Sequence, residues 1–322
     1  MPEQSPSPGD DLVQALVDDE IRGDVAPDEA TIHTAAVEAG PEIERLKERK
    51  GKGLGFSAWL AIGWLAMIVI LGFAAPILPI PDPVADATPA LARQGPSADH
   101  IMGLDGSGRD VFSRVIWGMR NSLFIGAVSV LIGLVVGGSL GVISGYFKGR
   151  LGGFIGASLD VLLAFPPLIL ALSIVTFLGR TVPNVTLSLA IVSIPVLARI
   201  ARASTLSWSE REFVLAARAQ GAKHFRIMRR EILPNVLPAM FSIALLGIAV
   251  VIVAEGGLAI IGAGVKPDVT TWGNIIVSGQ GDLRDASHIV LFPSFCIFFT
   301  VLALNFLGDV VRAKFDVRES SL

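Results

Sequence analysis

Residues 212–238 read EFVLAARAQGAKHFRIMRREILPNVLP and form the one long basic, polar interruption between two apolar spans. A helix over residues 210–220 would bring apolar and small side chains onto one face, because residues three, four and seven positions apart are neighbours on a helix. That face consists of Phe213, Ala216, Ala217 and Gln220. Gly221 favours the left-handed conformation that commonly ends a helix. The stretch predicts a compact helical unit that another protein can contact from outside the membrane.

A second helical pattern follows Gly221, with apolar residues on one predicted face and arginines on the other. These residues are Phe225, Met228 and Ile232, and Arg226, Arg229 and Arg230. Pro234 and Pro238 then favour the beginning of a new apolar span, since proline is tolerated in the first helical turn.

The spacing of this stretch resembles the cytoplasmic coupling loop of permease subunits of binding-protein-dependent ATP-binding-cassette importers. That family's signature is Glu-Ala-Ala, three residues, Gly, nine residues, and Ile-Leu-Pro or a close variant. Here Ala216-Ala217 precedes Gly221 by three residues, and nine residues and Glu231 then lead to Ile232-Leu233-Pro234. The acid stands earlier, at Glu212, as in the peptide and nickel branch, where position 231 is often His.

The resemblance implies an all-α polytopic membrane protein with six transmembrane helices, a type I importer permease fold and a cytoplasmic coupling helix. It also implies a second related permease, two cytoplasmic ATP-binding subunits or one fused ATPase, and an extracytoplasmic binding protein. The cargo would be di- or oligopeptides, in a bacterial plasma (inner) membrane. The residues implied to couple to the ATPase are Glu212, Phe213, Ala216, Ala217, Gln220 and Gly221.

Two other functions remain open from the residues. The same architecture would serve nickel or another small solute, since the binding protein selects the cargo. A stand-alone secondary transporter or channel would need internal repeats and polar groups at the midplane, and would leave the coupling loop unexplained.

Glu212 also has a purely structural interpretation. The sequence Ser209-Glu210-Arg211-Glu212 fits a capping box, in which Ser209 is the N-cap and Glu212 reaches back to it. We expect the two roles to be compatible.

Composition indicates a membrane protein, since 52% of the 322 residues are hydrophobic and they occur in blocks. A hydrocarbon core of ~30 Å needs ~20 residues per helix. The predicted spans are 57–75, 121–146, 153–179, 185–203, 236–262 and 289–309, with the coupling loop at 204–235.

Charge decides the predicted orientation. With the N-terminus inside, the inner segments carry 18 Lys and Arg residues and the outer segments 7. Positive residues favour the cytoplasmic side, so both termini and the coupling loop are expected there.

Residues 1–44 hold twelve acids and one base, and 45–56 form a basic segment before the first span. The acidic tail is expected to be disordered, either as a docking arm or as a solvated tail, without signal-peptide features. Residues 310–322 form a C-terminal cytoplasmic tail.

The outer segment 76–120 begins with four prolines and leads into HIMGLDGSGRDVFSRVIWGMRNSL, residues 100–123. This resembles a segment of the peptide-permease branch, with Leu104 in place of Thr. We expect a helix from Asp110 to lie in the outer interface. The segment is either an external lip that contacts a partner or a structural elbow, and its candidate residues are Asp105, Arg109, Asp110 and Arg114. The loop is too short for calcium, and no metal is expected there.

Polar residues and prolines within spans mark the candidate translocation path, which consists of Asp160, Pro166, Pro167 and Glu255. A carboxylate in lipid is costly, so Asp160 must face the interior or a polar interface, and pairing with Arg199 or Arg202 is favoured over a cargo role. Glu255 has no obvious partner beside Gly256-Gly257, and is assigned either to the passage or to hydrogen-bonded packing.

Four glycines at intervals of four, Gly133, Gly137, Gly141 and Gly145, predict a bare ridge for close helix packing, within the subunit or against a sister subunit. Residues 262–274 resemble the family's loop and short helix before the last span.

No Gly-x4-Gly-Lys-Ser/Thr loop occurs, so ATP and Mg are expected on partner subunits and no cofactor on this chain. The basic residues flank a membrane exit, and no nucleic acid is expected as a partner.

Overall fold

The computed structural model describes residues 55–319, with side chains described through Ala313. The predictions for the acidic tail and for the basic segment as far as residue 54 lie outside the described residues. All regular structure in the described range is helical, apart from two isolated bridges, Ala87–Arg109 and Leu104–Asp110. The helices are α1 (Phe56–Ala74), α2 (Val111–Ile132), α3 (Gly138–Tyr146), α4 (Arg150–Leu163), α5 (Pro167–Leu178), α6 (Val182–Trp208), α7 (Glu212–Ala219), α8 (His224–Ile227), α9 (Leu233–Ile260), α10 (Trp272–Gly279) and α11 (His288–Glu319).

Two pairs of helices are continuous through π-helical turns. Residues Gly133–Gly137 join α2 to α3, and Met228–Ile232 join α8 to α9. In the described range, five helical runs are long and apolar enough to cross a membrane, and the bent pair α4–α5 makes six if it is one span. Short helices α7 and α10 lie between spans, as the sequence predicted for a coupling helix and for a helix before the last span.

The second span begins earlier than predicted. Asp110 is the N-cap of α2, and its side chain accepts a hydrogen bond from the Ser113 N–H at 2.8 Å. The helix predicted from Asp110 is present, and it continues without a break into the span that was predicted to begin at residue 121. Val111, Val115 and Met119 are buried in a core that includes Trp272 of α10, because these first turns use their apolar face for packing.

The third span is broken at the predicted prolines. Helix α4 ends at Leu163, α5 begins at Pro167, and the two helices meet at 85°. Proline lacks the N–H that would continue the helical ladder, so the backbone turns at this point.

The glycine ridge packs inside the subunit. A Cβ at Gly137 would lie 2.4 Å from the Ile194 carbonyl oxygen, and one at Gly141 would lie 2.4 Å from the Ala198 carbonyl oxygen. Any side chain at these positions would collide with the backbone of α6. The sequence left the packing partner open, and the structure identifies it as α6 of the same chain.

Candidate functional site

The candidate coupling residues lie on α7 and on the turn that follows it. Phe213 is 41% exposed, and Glu212, Ala216, Gln220 and Gly221 are also exposed. Ala217 is half-buried because it packs against the core beneath the helix. We name Glu212, Phe213, Ala216 and Gln220 the coupling face. It is a small surface with one acid at the N-terminal end of the helix.

Gly221 ends α7 in the left-handed conformation, with φ of +76°. Its N–H donates to the Arg218 carbonyl at 2.9 Å, while the Ala222 N–H donates to the Ala217 carbonyl at 3.0 Å. The left-handed glycine predicted at this position is confirmed.

The predicted capping box is wrong. Arg211 is the N-cap of α7 and makes no side-chain cap, whereas Ser209 ends α6 and donates its hydroxyl to the Leu206 carbonyl at 2.9 Å. Residues 209–211 turn between two helices, so Ser209 cannot serve the second one. Among the described residues, the Glu212 carboxylate has no hydrogen-bond or ion-pair partner and is available at the surface.

The neighbouring acid takes part in a surface ion pair instead. Glu210 accepts from the Lys148 ammonium at 2.6 Å, and this hydrogen bond lowers the pKa of the Glu210 carboxyl. The pair links the turn after α3 to the turn before α7.

Contacts on its inner side hold α7 in place. Val214 is fully buried and packs in a core with residues of α3, α6, α8, α9 and the π-helical turn before α9, namely Val142, Tyr146, Ala201, Ile227, Ile232, Val236 and Met240. The Arg218 guanidinium lies 5.0 Å from the centre of the Tyr146 ring, and the Trp208 and Phe213 rings are 6.1 Å apart. Since α7 contacts the ends of several spans, its displacement would be passed directly to them.

The face predicted for α8 is also wrong in part. Phe225 is 70% exposed, and the buried positions are Ile227 and Ile232, which are five residues apart. The intervening π-helical turn shifts the phase by one residue relative to an α-helix. Pro234 follows this turn and cannot donate to a carbonyl four residues earlier, which accounts for the altered ladder.

Asp160 pairs with Arg199, as the favoured structural interpretation predicted. The Arg199 Nη2 lies 2.9 Å from the Asp160 Oδ1, and their side chains are 67% and 65% exposed. Pro166 and Pro167 are exposed at the break after α4. These three candidate path residues therefore belong to exposed positions on α4 and around the break that follows it.

Glu255 does not lie on an exposed surface. It is 1% exposed and accepts a hydrogen bond from the Thr271 hydroxyl at 2.8 Å. Thr271 also caps α10 by accepting from the Asn274 N–H at 3.1 Å. The expectation that Glu255 lacks a partner is wrong, because the chain returns from the outer loop and places Thr271 beside it. This geometry favours the packing role.

The outer candidates form a buried network. Asp105 accepts from the Arg109 N–H at 2.9 Å and from the Arg109 Nε at 3.0 Å, and it also pairs with Arg114. Arg114 is 1% exposed and reaches Ser278 of α10 at 3.2 Å. Asp110 caps α2 and contacts the His100 Nδ1 at 2.9 Å. Three of the four residues are buried. This favours the structural elbow over an external lip in which these side chains contact a partner.

Sequence reasoning missed several residues that hold these sites. Tyr146 and His224 brace the coupling helix, and Thr271 and Ser278 join α10 to its neighbours. The Thr271-Trp272 position just before a short helix was a recognisable N-cap signal. The Tyr146–His224 contact left no signal, because 78 residues separate the two.

Comparisons with known proteins agree with this architecture. Residues 137–320 match the family described as "Binding-protein-dependent transport system inner membrane component". The chain is 35% identical over 281 residues to the dipeptide transport system permease protein DppC of Alkalihalophilus pseudofirmus, covering 87% of this chain and 91% of that protein. It is 38% identical over 229 residues to the glutathione transport system permease protein GsiD of Pectobacterium atrosepticum, covering 71% and 76%.

The fold is also that of a solved transporter. An inward-facing structure of the MetNI methionine ABC transporter aligns with a TM-score of 0.54 at 20% identity, covering 63% of this chain and 96% of that chain. The predicted all-α, polytopic, type I importer permease fold is confirmed. The chain belongs to the family of inner membrane components of binding-protein-dependent transport systems.

Proposed function

We propose that this chain is one of two membrane subunits of an ATP-driven importer of di- or oligopeptides. Two relatives, each matched over most of its length, are named for the transport of a dipeptide and of glutathione, and both cargoes are short peptides. The binding protein would deliver the peptide on the outer side, and a second related permease would complete the passage. Nickel, the alternative raised by the sequence, has no comparable support.

The observation that carries this function is the coupling face on a firmly anchored α7. Its outer side is exposed and carries Glu212, which has no ion-pair partner among the described residues, while Val214 beneath it is fully buried. A short amphipathic helix of this kind fits a groove on a partner protein. The partner is a cytoplasmic ATP-binding subunit, present twice or as one fused ATPase, which holds the ATP and Mg that this chain does not bind.

The contacts around α7 support a rigid lever. A movement of the ATPase would displace α7 and, through the core around Val214, the cytoplasmic ends of α3, α6 and α9. The spans then exchange inward-open and outward-open packings, and ATP supplies the free-energy bias between them. In this proposal α7 and both termini lie on the cytoplasmic side of a bacterial inner membrane, and the excess of Lys and Arg residues in the same segments supports that orientation.

Reconstitution of the complete complex tests this function. We expect labelled dipeptide uptake into proteoliposomes that depends on ATP and on the binding protein. Ala216→Glu adds a charge to the exposed coupling face without touching the core, and should abolish uptake and the capture of the ATPase subunit. Ser207→Glu is the matched control, because Ser207 is exposed near the end of α6, outside that face. Uptake that survives Ala216→Glu, or a binding protein that carries a non-peptide solute, would contradict the proposal.

A further inference from the structure

The Asp160–Arg199 ion pair combines two properties that rarely occur together. Arg199 belongs to a candidate spanning helix and Asp160 to the bent pair α4–α5, which is a candidate sixth span, yet both side chains are about two-thirds exposed, at 67% and 65%. Another ion pair that involves a spanning helix, Arg114–Asp105, is buried.

The pair lies within the spans predicted from the sequence, 153–179 and 185–203. At 1.5 Å per residue, Asp160 is about 11 Å from the start of the first of these spans and Arg199 is about 6 Å from the end of the second. Charges at this depth are costly in lipid and face a protein interior or a water-filled cavity.

The surroundings leave room beside the pair. Ala157 and Ala164 flank Asp160 on α4 at spacings of three and four residues, and Ala203 lies one turn beyond Arg199; all three are exposed. A Cβ at Gly153 would meet nothing within 4 Å. The 85° break between α4 and α5 begins a few residues after Asp160 in the chain. Small side chains flank the two charges on α4 and α6, together with the exposed Val161 and Val196 and with a second arginine, Arg202, whose guanidinium lies beside Gly156.

We infer that Asp160 and Arg199 form a cargo subsite in the aqueous passage, one that receives the two charged ends of a zwitterionic peptide. The inference rests on the proposed peptide import. Arg199 donates hydrogen bonds to the peptide carboxylate, and the peptide ammonium donates to Asp160. When no cargo is present, the two side chains satisfy each other at 2.9 Å, so neither charge is left alone in the membrane.

Cysteine accessibility tests whether this surface is wet. The single native cysteine, Cys296, is buried, and a Cys296→Ala background permits single-cysteine variants of the intact complex. Ala157→Cys and Ala203→Cys should react with membrane-impermeant methanethiosulfonates applied from the cytoplasmic side. Ile70→Cys is the control, since Ile70 is an exposed apolar residue of α1 at 65% and should stay unreactive.

The charge of the reagent tests the electrostatics. A sulfonate reagent should react faster than a trimethylammonium reagent at Ala203→Cys, and Arg199→Gln should reduce that preference about threefold at separations near 8 Å. Dipeptide supplied with the binding protein and ATP should slow labelling, and an unrelated sugar should not.

Transport provides the second measurement. Arg199→Gln and Asp160→Asn should each reduce dipeptide uptake about tenfold or more, which is the scale of a lost hydrogen bond to a charged group. Complex assembly and the peptide affinity of the isolated binding protein should stay unchanged. If a neutral variant does not assemble, the labelling of Ala203→Cys still tests the subsite, because this variant keeps Asp160 and Arg199 and peptide should slow its reaction with the reagent.

The outcomes separate this subsite from the proposed function. A wild-type complex that imports no peptide contradicts the peptide importer, whatever the labelling shows. Unreactive cysteines at positions 157 and 203 would mean that a partner subunit covers the pair, and this would overturn the subsite alone. Reactive cysteines without protection by peptide, or full uptake by both neutral variants, would overturn it as well.

Discussion

The Tyr146 hydroxyl lies 2.9 Å from the His224 Nδ1 and joins the end of α3 to the beginning of α8. The two rings meet nearly edge to face, with their centres 5.6 Å apart. Arg218 of α7 lies over the same tyrosine ring, at 5.0 Å. Tyr146 therefore joins three elements around the coupling helix, although it lies 66 residues before that helix in the chain.

Tyr146→Phe removes the hydroxyl but keeps the ring beneath Arg218. We expect a loss of about 0.5–1.5 kcal/mol in the stability of the loop, the usual net value of one hydrogen bond. Uptake per ATP hydrolysed should fall, because α8 is less firmly held to α3. Tyr146→Leu removes both contacts and should lower this ratio further. Equal coupling ratios in wild type and both variants would show that the brace does not transmit force.

Gly221→Pro should uncouple transport while the protein still inserts into the membrane. Proline requires φ near −65°, whereas Gly221 has φ of +76°, and the change also removes the N–H that bonds to Arg218. Gly221→Asn is the control, because Asn tolerates the left-handed conformation. ATP-dependent peptide uptake and membrane yield would be compared. A fully active proline variant would exclude a rigid end to α7.

The sequence predicted the elements that depend on local patterns. Gly221 at the end of α7 follows from short-range preferences, and the break at Pro166 follows from the missing proline N–H. The interruption of the third span could be derived in the same way, whereas α10 was expected from the family resemblance of residues 262–274.

Features that depend on distant contacts could not be derived. The face of α8 was wrong because a π-helical turn shifts Ile227 and Ile232 by one residue relative to the α-helical period. No partner for Glu255 could be identified from the sequence, because Thr271 lies 16 residues later and approaches Glu255 only in the folded chain. For Asp160, the sequence left two candidate partners, Arg199 and Arg202, and the fold pairs it with Arg199.

Gly141→Ala tests the packing of the glycine ridge on α6. The added methyl group would lie 2.4 Å from the Ala198 carbonyl oxygen and 2.5 Å from the Ala201 Cβ. We expect a destabilisation of about 1–3 kcal/mol, as for other overpacked sites, measured by thermal unfolding in detergent. Gly153→Ala is the control, because its Cβ meets open space, and it should be neutral or slightly stabilising through helix propensity. Equal unfolding temperatures for the two variants would contradict the close approach of α2–α3 to α6.

Thr271→Val tests the joint between α9 and α10. The change keeps the shape of the side chain but removes the hydroxyl that donates to Glu255 and caps Asn274. A buried Glu255 side chain that loses its hydroxyl donor, with the Gly273 N–H remaining, and a lost N-cap should together cost about 2–4 kcal/mol. Thr271→Ser retains the hydroxyl and should be close to wild type in an unfolding measurement. A valine variant as stable as the serine variant would remove Glu255 from this packing role.

Arg114→Met should be the most damaging of the outer changes. Arg114 and Asp105 are each 1% exposed, so the substitution leaves a buried carboxylate with Arg109 as its remaining cationic partner. Removing one member of a buried pair costs about 3–5 kcal/mol, since the other charge stays desolvated. Arg109→Met is the matched control: its side chain is 18% exposed, and Asp105 would keep the Arg114 contact. We expect a substantially lower unfolding temperature for Arg114→Met and a small change for Arg109→Met. A reversed order would mean that Arg109, at the more exposed end of the network, is the residue that holds the outer segment on α10.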